Sequence, residues 1–265
     1  MTSCGAAATT GSGGRPEPLL SVRGLEKRFG AVEALRGVDL DVFEGDVLAV
    51  CGDNGAGKST LIKILSGAEQ ASGGRVVLRG REVAFRSPAE ALRNGVATIY
   101  QELALAPRLS ISANVFMGSE LTRPFLAPFL RVLDKARMAS EARGFLRRLA
   151  VDIADMSRPV ERLSGGQRQA VAISRALRWN ADVIIMDEPT AALGVKETAQ
   201  VHDLIRRLHE EGHTVILISH NMRDVVALAS RVVILKGGRK IADRAVEGLK
   251  AEELSGLILS EAAPA

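Results

Sequence analysis

The chain alternates between two hydrophobic periods. Val38, Leu40 and Val42 are separated by Asp39 and Asp41, a period of two that predicts a half-buried strand. Val47 to Cys51 is apolar without interruption and predicts a strand buried on both faces. Val183–Met186, Val215–Ile218 and Val232–Leu235 carry the same pattern. Arg75–Leu78 and Val83–Phe85 predict antiparallel strands around Arg79-Gly80-Arg81, and Lys236-Gly237-Gly238-Arg239 predicts a hairpin turn. Helical spacing takes over at Leu61, Ile62, Ile64 and Leu65, and again at Val201, Leu204, Ile205 and Leu208, after which Gly212 supplies a stop. Ser87-Pro88-Ala89-Glu90 is a helix start with Ser at the N-cap and Glu at N3, and Gly95 can end that helix. Residues 134–149 and 164–178 also predict helices. The strand–helix alternation predicts an α/β domain with a mainly parallel sheet core. The antiparallel pairs predict a β subdomain, and the mostly helical stretch of about 87–178 predicts an inserted helical subdomain.

The ends differ in composition. Residues 1–17 are small, polar and Gly-rich and cannot bury enough apolar surface to offset ordering entropy, so a disordered tail is expected there, with one domain over residues 18–260. The last residues, 261–265, carry the same expectation. The 265 residues have a net charge of +4, too small an excess to argue for nucleic acid. Two cysteines exclude a disulfide scaffold; Cys4 lies in the tail and Cys51 is expected as a reduced, strand-buried thiol. No window approaches 18 consecutive apolar residues, and no signal peptide is expected. Leu121 to Leu133 is apolar with two prolines, and composition leaves open a loop packed on the helical insert or an exposed patch for a partner.

Gly52-Asp53-Asn54-Gly55-Ala56-Gly57-Lys58-Ser59 satisfies G-x-x-x-x-G-K-[ST], between a predicted strand and a predicted helix that continues through Thr60. Glycines let successive amides face phosphate oxygens, with the positive helix end behind them. Lys58 is suited to the β- and γ-phosphates and the Ser59 hydroxyl to Mg²⁺. Asp187 and Glu188 end a buried strand, which delivers both carboxylates to the carboxyl edge of the sheet. Asp187 suits the Mg²⁺ shell. Pro189 is expected to hold Glu188 extended, projecting it as a general base for the attacking water.

Leu163-Ser164-Gly165-Gly166-Gln167 resembles the signature of ATP-binding-cassette (ABC) ATPases. The other family markers occur in the family's order. Gln101 in Ile99-Tyr100-Gln101-Glu102 matches the Q-loop, His220 in Ile218-Ser219-His220 the switch histidine, and Phe29 the aromatic that stacks on adenine. The resemblance covers residues 19–245 and implies a P-loop NTPase fold binding ATP and Mg²⁺. It implies Glu188, His220 and Gln101 in hydrolysis, with Ser59, Gln101 and Asp187 around the metal. It also implies that Ser164, Gly165, Gly166 and Gln167 grip the γ-phosphate on a second copy, so that a homodimer sandwiches two ATP. His202, His209 and His213 lie on or after a predicted surface helix and are expected to be solvated.

One departure narrows the resemblance. Where the family usually has Ser-Ala-Leu-Asp, this chain has Ala191-Ala192-Leu193-Gly194. Residues 188–197, with Gly52-Asp53-Asn54 and Ser219–Met222, are similar to the monosaccharide-importer branch in its single-cassette form. That likeness implies a cytoplasmic ATPase held at the inner membrane face by a separate transmembrane permease. It implies indirect service to a periplasmic sugar-binding protein, and no nucleic-acid partner. The rival readings are a cassette acting on DNA or ribosomes, a P-loop kinase of a small molecule, and a non-catalytic regulatory cassette. Long coiled-coil inserts and a second cassette are absent, and a kinase gives Ser164–Gln167 and His220 no role.

Overall fold

The computed structural model describes residues 17–125 and 127–260, so the expected tails lie outside the described residues apart from Glu17. The first strands are β1 (Leu20–Phe29), β2 (Val32–Val42) and β3 (Val47–Cys51). Next come α1 (Lys58–Leu65), β4 (Gly73–Leu78), β5 (Arg81–Val83), α2 (Pro88–Arg93) and β6 (Val96–Ile99). The middle of the chain holds α3 (Ile111–Val115), β7 (Thr122–Phe125), β8 (Ala127–Leu133), α4 (Lys135–Arg148) and α5 (Gly165–Arg178). The remainder is β9 (Val183–Asp187), α6 (Val195–Glu210), β10 (Thr214–Ile218), α7 (Met222–Leu228), β11 (Arg231–Lys236), β12 (Arg239–Ala245) and α8 (Ala251–Ser260).

A six-stranded sheet of order β12-β11-β3-β10-β9-β6 forms the centre, parallel except for the β12 edge. Its apolar runs bury both faces because successive side chains point to opposite sides. Ile184, Met186, Val215 and Leu217 face one core with α4, α5 and α6. Val183, Ile185, Ile216 and Ile218 face another, under α1 and the four-stranded antiparallel sheet β2-β1-β4-β5. A third cluster packs Cys51, Val232 and Ile234 against α7 and α8.

Several elements differ from the sequence pattern for identifiable reasons. No alternation announces β1, because register shifts between Val22 and Leu25 and between Lys27 and Arg28 interrupt its period of two. The strand expected at Val83–Phe85 lies at Arg81–Val83, since the Arg79-Gly80 turn pairs Leu78 directly with Arg81; Phe85 is buried beyond it. The stretch of about 87–178 is not helical throughout: after α2, Val96–Ile99 is the edge strand of the central sheet, paired with Val183–Met186. Ser87 does cap α2, accepting from the Glu90 amide, while Glu90 reaches back to the Arg86 amide.

Thr122–Phe125 and Ala127–Leu133 form an antiparallel ribbon, β7–β8, rather than a packed loop. Phe125, Leu130 and Leu133 are each nearly half exposed on it. Proline within a run hides a strand from sequence patterns, but a two-stranded ribbon is all edge and tolerates it.

The helical segment packs around Phe116, Leu146 and Ile173, all fully buried in the core it shares with α6 and one face of the central sheet. Replacing Phe116 with Ala should cost about 3–5 kcal/mol. The measurement is a urea titration, with a lowered midpoint and an unchanged slope expected.

Candidate functional site

The glycine-rich loop leaves β3 and enters α1, and its glycines are required by close approach. A Cβ at Gly52 would lie 2.1 Å from the Leu235 carbonyl oxygen, and one at Gly57 would meet Leu35 Cδ2 at 2.7 Å and the Ala34 oxygen at 2.8 Å. Both residues adopt positive φ, as does Gly55. The hairpin turn at Gly237-Gly238 braces the loop from behind, with the Gly238 amide donating to the Ala56 carbonyl at 3.1 Å. Lys58 Nζ lies across the loop mouth, donating to the carbonyls of Gly52 and Asp53. Asp53, Asn54, Gly55 and Ser59 are exposed at that mouth, and Thr60 is half-buried in the first turn of α1. Phe29 ends β1 with its ring 45% exposed, and the Lys27 ammonium lies 4.7 Å from the ring centroid on one face.

Strand order gathers the remaining groups. Parallel strands β3, β10, β9 and β6 are consecutive neighbours, so the residues that follow them line one carboxyl edge. That edge carries the loop after β3, His220 after β10, Asp187 and Glu188 at β9, and Gln101 after β6. Ile218 pairs with Asp187, which sets His220 beside Glu188; His220 Nδ1 lies 2.8 Å from Glu188 Oε1. Burial, with Glu188 beside it, pushes the Asp187 carboxyl above the usual carboxylate range, against the opposing pull of Lys58 and Lys63. Burial also pushes the Cys51 thiol up to about 12, so it stays neutral at physiological pH. Gln101 is exposed, on a cleft of about 540 Å³ that Glu188, Gly165 and Arg168 also line.

Glu188 departs from the extended backbone expected before proline. Its φ is +50°, in the left-handed region. Pro189 disfavours right-handed helical geometry, and the chain must turn at once. The Glu188 amide donates to the Ile218 carbonyl at 3.0 Å and its own carbonyl accepts from the Ala191 amide at 3.1 Å. A non-glycine residue held there stores about 1–3 kcal/mol of strain, which the surrounding structure must over-determine.

The Ser164–Gln167 segment opens α5. Ser164 is exposed; its hydroxyl accepts from the Gln167 amide, and the Gln167 side chain accepts from the Ser164 amide. Gly165 and Gly166 are buried, for a Cβ at either would collide with Leu193 or Gln200. The Gly165 amide donates to Glu197 Oε1 at 2.7 Å, so this amide already holds a carboxylate from α6. The same Glu197 accepts from the amide of Gly194, whose extended backbone precedes α6.

Two histidines expected to be solvated are not. His202 Nε2 lies 2.9 Å from Asp224 Oδ1, and His213 Nδ1 lies 3.1 Å from the Ala181 carbonyl oxygen. Helix α6 packs on the core through its apolar face, and α7 meets its flank. Sequence reasoning also missed Gln169, which donates to the Pro189 carbonyl at 2.8 Å, and Glu197. The signal for Glu197 was its place three residues after the helix start, where a carboxylate reaches back to free amides.

The Asp187 carboxyl favours its protonated form in the fold more than in the unfolded chain. Its contribution to stability is therefore best below the ordinary carboxylate range and is lost as pH rises through the elevated folded value. Asp187→Asn should raise Tm at neutral pH, and the gain should vanish in acid; thermal melts across pH check this.

The family model described as "ABC transporter" matches residues 35–191. The fructose import ATP-binding protein FrcA of Rhizobium meliloti is 48% identical over 227 residues, covering 85% of this chain and 87% of that protein. The xylose/arabinose import ATP-binding protein XylG of Sulfolobus acidocaldarius is 43% identical over 242 residues, covering 91% and 94%. The ribose import ATP-binding protein RbsA 1 of Rubrobacter xylanophilus is 45% identical over 224 residues, and the match covers 84% of this chain but 44% of that protein. Among solved structures, MJ1267, an ATP-binding cassette of an ABC transporter, superposes with a TM-score of 0.79 at 27% identity, covering 94% of this chain and all of that one. The family match spans more than half the chain, and the relatives align over most of it. The chain therefore belongs to the ABC transporter family, as an ATP-binding cassette.

Proposed function

We propose that the chain is the ATP-hydrolysing subunit of a monosaccharide importer, working as a homodimer on a separate membrane permease. The observation that carries the hydrolytic part is the Glu188–His220 contact at 2.8 Å, beside a glycine loop and lysine fitted to phosphates. The relatives named above for fructose, xylose/arabinose and ribose import support the sugar class. Residues 18–260 act as one nucleotide-binding unit in this reading. It is held at the inner membrane face by the permease, which a periplasmic sugar-binding protein serves. Among the described residues no helix is long and apolar enough to cross a membrane.

The loop amides of residues 52–60 and Lys58 hold the triphosphate, and the exposed Phe29 ring stacks on adenine. The donor set fits Mg²⁺: the Ser59 hydroxyl, the Gln101 amide and Asp187, whose desolvated carboxyl gains from a cation. Among the described residues no group of three His, Cys, Asp or Glu could hold a metal; substrate phosphates would complete the shell. When bound, the ion neutralises charge developing on the phosphate oxygens.

With Oε1 engaged by His220, the second Glu188 oxygen takes a proton from water as that water attacks the γ-phosphorus. The bond to the bridging oxygen breaks, leaving ADP and phosphate. His220, 73% exposed at its side chain, has room to reach the γ-phosphate. Ser164 of the partner subunit, with the Gly166 amide and Gln167 of that copy, closes the other side. A solved cassette of this fold, MJ0796, is a dimer at 25% identity and a TM-score of 0.70. Beside Gln101, an apolar groove of about 500 Å³ between α2, β6 and α5 suits a cytoplasmic segment of the permease; Leu92, Tyr100, Met117 and Trp179 line it.

Glu188→Gln should lower hydrolysis by at least about a hundredfold. The same variant should form a dimer in ATP and Mg²⁺, read by light scattering. Unchanged hydrolysis would overturn the catalytic assignment, and a strict monomer would overturn the sandwich. Lys58→Ala should lose ATP binding in calorimetry. A phosphorylated sugar in place of free phosphate would favour a kinase.

A further inference from the structure

Asp224 lies in the first turn of α7 and is only 3% exposed. Both its oxygens are engaged. Thr190 Oγ1 donates to Asp224 Oδ2 at 2.6 Å, and His202 Nε2 of α6 lies 2.9 Å from Oδ1. Thr190 is two residues beyond Glu188, and Asp224 is four beyond His220. The two segments that meet at Glu188 and His220 therefore meet a second time at Thr190 and Asp224.

A buried carboxyl is an expensive way to attach a short helix, because its desolvation must be offset by well-made partners. Apolar contacts alone could hold α7 on the sheet, as Val225 does within the third cluster. A satisfied polar network does something apolar packing does not: it selects one arrangement of its members. Such selection is needed here. Glu188 sits at positive φ in a tight turn, and His220 is exposed and has little packing to fix it. The backbone between His220 and α7 is already stitched, with the Asn221 amide donating to Ser219 Oγ and the Asn221 side chain capping α7. A shift of Asp224 would therefore be passed back along a short, rigid segment to His220.

The geometry points to Asp224 as a positioning residue for hydrolysis: through Thr190, and braced by His202, it locks the turn after Glu188 against the segment bearing His220. The inference rests on the hydrolytic reading of that pair. The bond keeps Glu188 Oε1 on His220 and turns the other oxygen towards the water. None of the three side chains belongs to the phosphate loop, the adenine platform or the Mg²⁺ donor set proposed above, so their loss should lower turnover and leave binding alone.

The test compares Thr190→Val, which keeps the shape and removes the donor, with Thr190→Ser, which restores the hydroxyl. Steady-state hydrolysis by the full chain in ATP and Mg²⁺ is read alongside ATP affinity by calorimetry and a thermal melt. Thr190→Val should lower kcat roughly 10- to 100-fold, the scale of a small misplacement of reacting groups, at unchanged ATP affinity. Thr190→Ser should return to near the parent rate. Asp224→Ala, which also frees His202, should be at least as slow as Thr190→Val, and the double variant should be no slower than Asp224→Ala, since the Thr190 bond is already lost in it. A parent-like kcat in Thr190→Val, or a Thr190→Ser variant as slow as Thr190→Val, overturns the inference. So does a fall in ATP affinity that accounts for the lost rate. Glu188→Gln is assayed in parallel: parent-like hydrolysis there overturns the reading of the pair itself, whereas its loss alongside an unaffected Thr190→Val removes only Asp224.

Discussion

The pairing register between β9 and β10 is the constraint on which the site depends. Asp187 lies opposite Ile218, so the first residue past β9 and the second past β10 emerge side by side. A slip of one residue would turn Asp187 and every apolar side chain of β9 to the opposite face. The register is fixed because both strands are buried on both faces, with alternate side chains committed to different cores. Hydrophobic burial therefore places the polar chemistry, although none of the buried residues takes part in it.

The same edge shows how one sheet accommodates opposing demands. The loop after β3 must present amides to anions, which needs glycines where a Cβ would strike Leu235, Leu35 or Ala34. One strand further, the chain passes into the segment of His220, and beyond it lie two adjacent carboxyls, one of them desolvated. Like charges side by side and a left-handed glutamate both work against stability. Their persistence here fits a site arranged for a polyanion and a cation rather than for its own comfort.

Helix α6 ties these parts to the signature helix. Its first turn supplies Glu197 to the Gly165 amide, and five residues later His202 meets Asp224. Gly194, where the family usually has aspartate, contributes only backbone groups to this region, its amide to Glu197 and its carbonyl to the Thr198 amide. In this chain a glutamate in the following helix, and not the usual aspartate, is the acidic group at the junction.

Local order determined a great deal. The uninterrupted runs at Val47–Cys51 and Val183–Met186, the glycine-lysine loop between strand and helix, and Ser164 at a helix start were legible because period, glycine content and capping act over a few residues. The irregular β1, the β7–β8 ribbon and the left-handed Glu188 were not, because bulges, edge prolines and a forced turn break the patterns by which strands are recognised. Least legible were Thr190, His202 and Asp224, and the bond from Gly165 to Glu197. No spacing rule links residues 34 apart, and a histidine among polar neighbours on a helix has the pattern of a solvated one. Those contacts exist only once α6 and α7 have packed over the sheet, since it is packing that removes water and leaves each polar group to find a partner in the chain. The sequence by itself determined the uninterrupted strands, the phosphate loop and the family; the tertiary structure alone decided which buried polar groups hold the site in place.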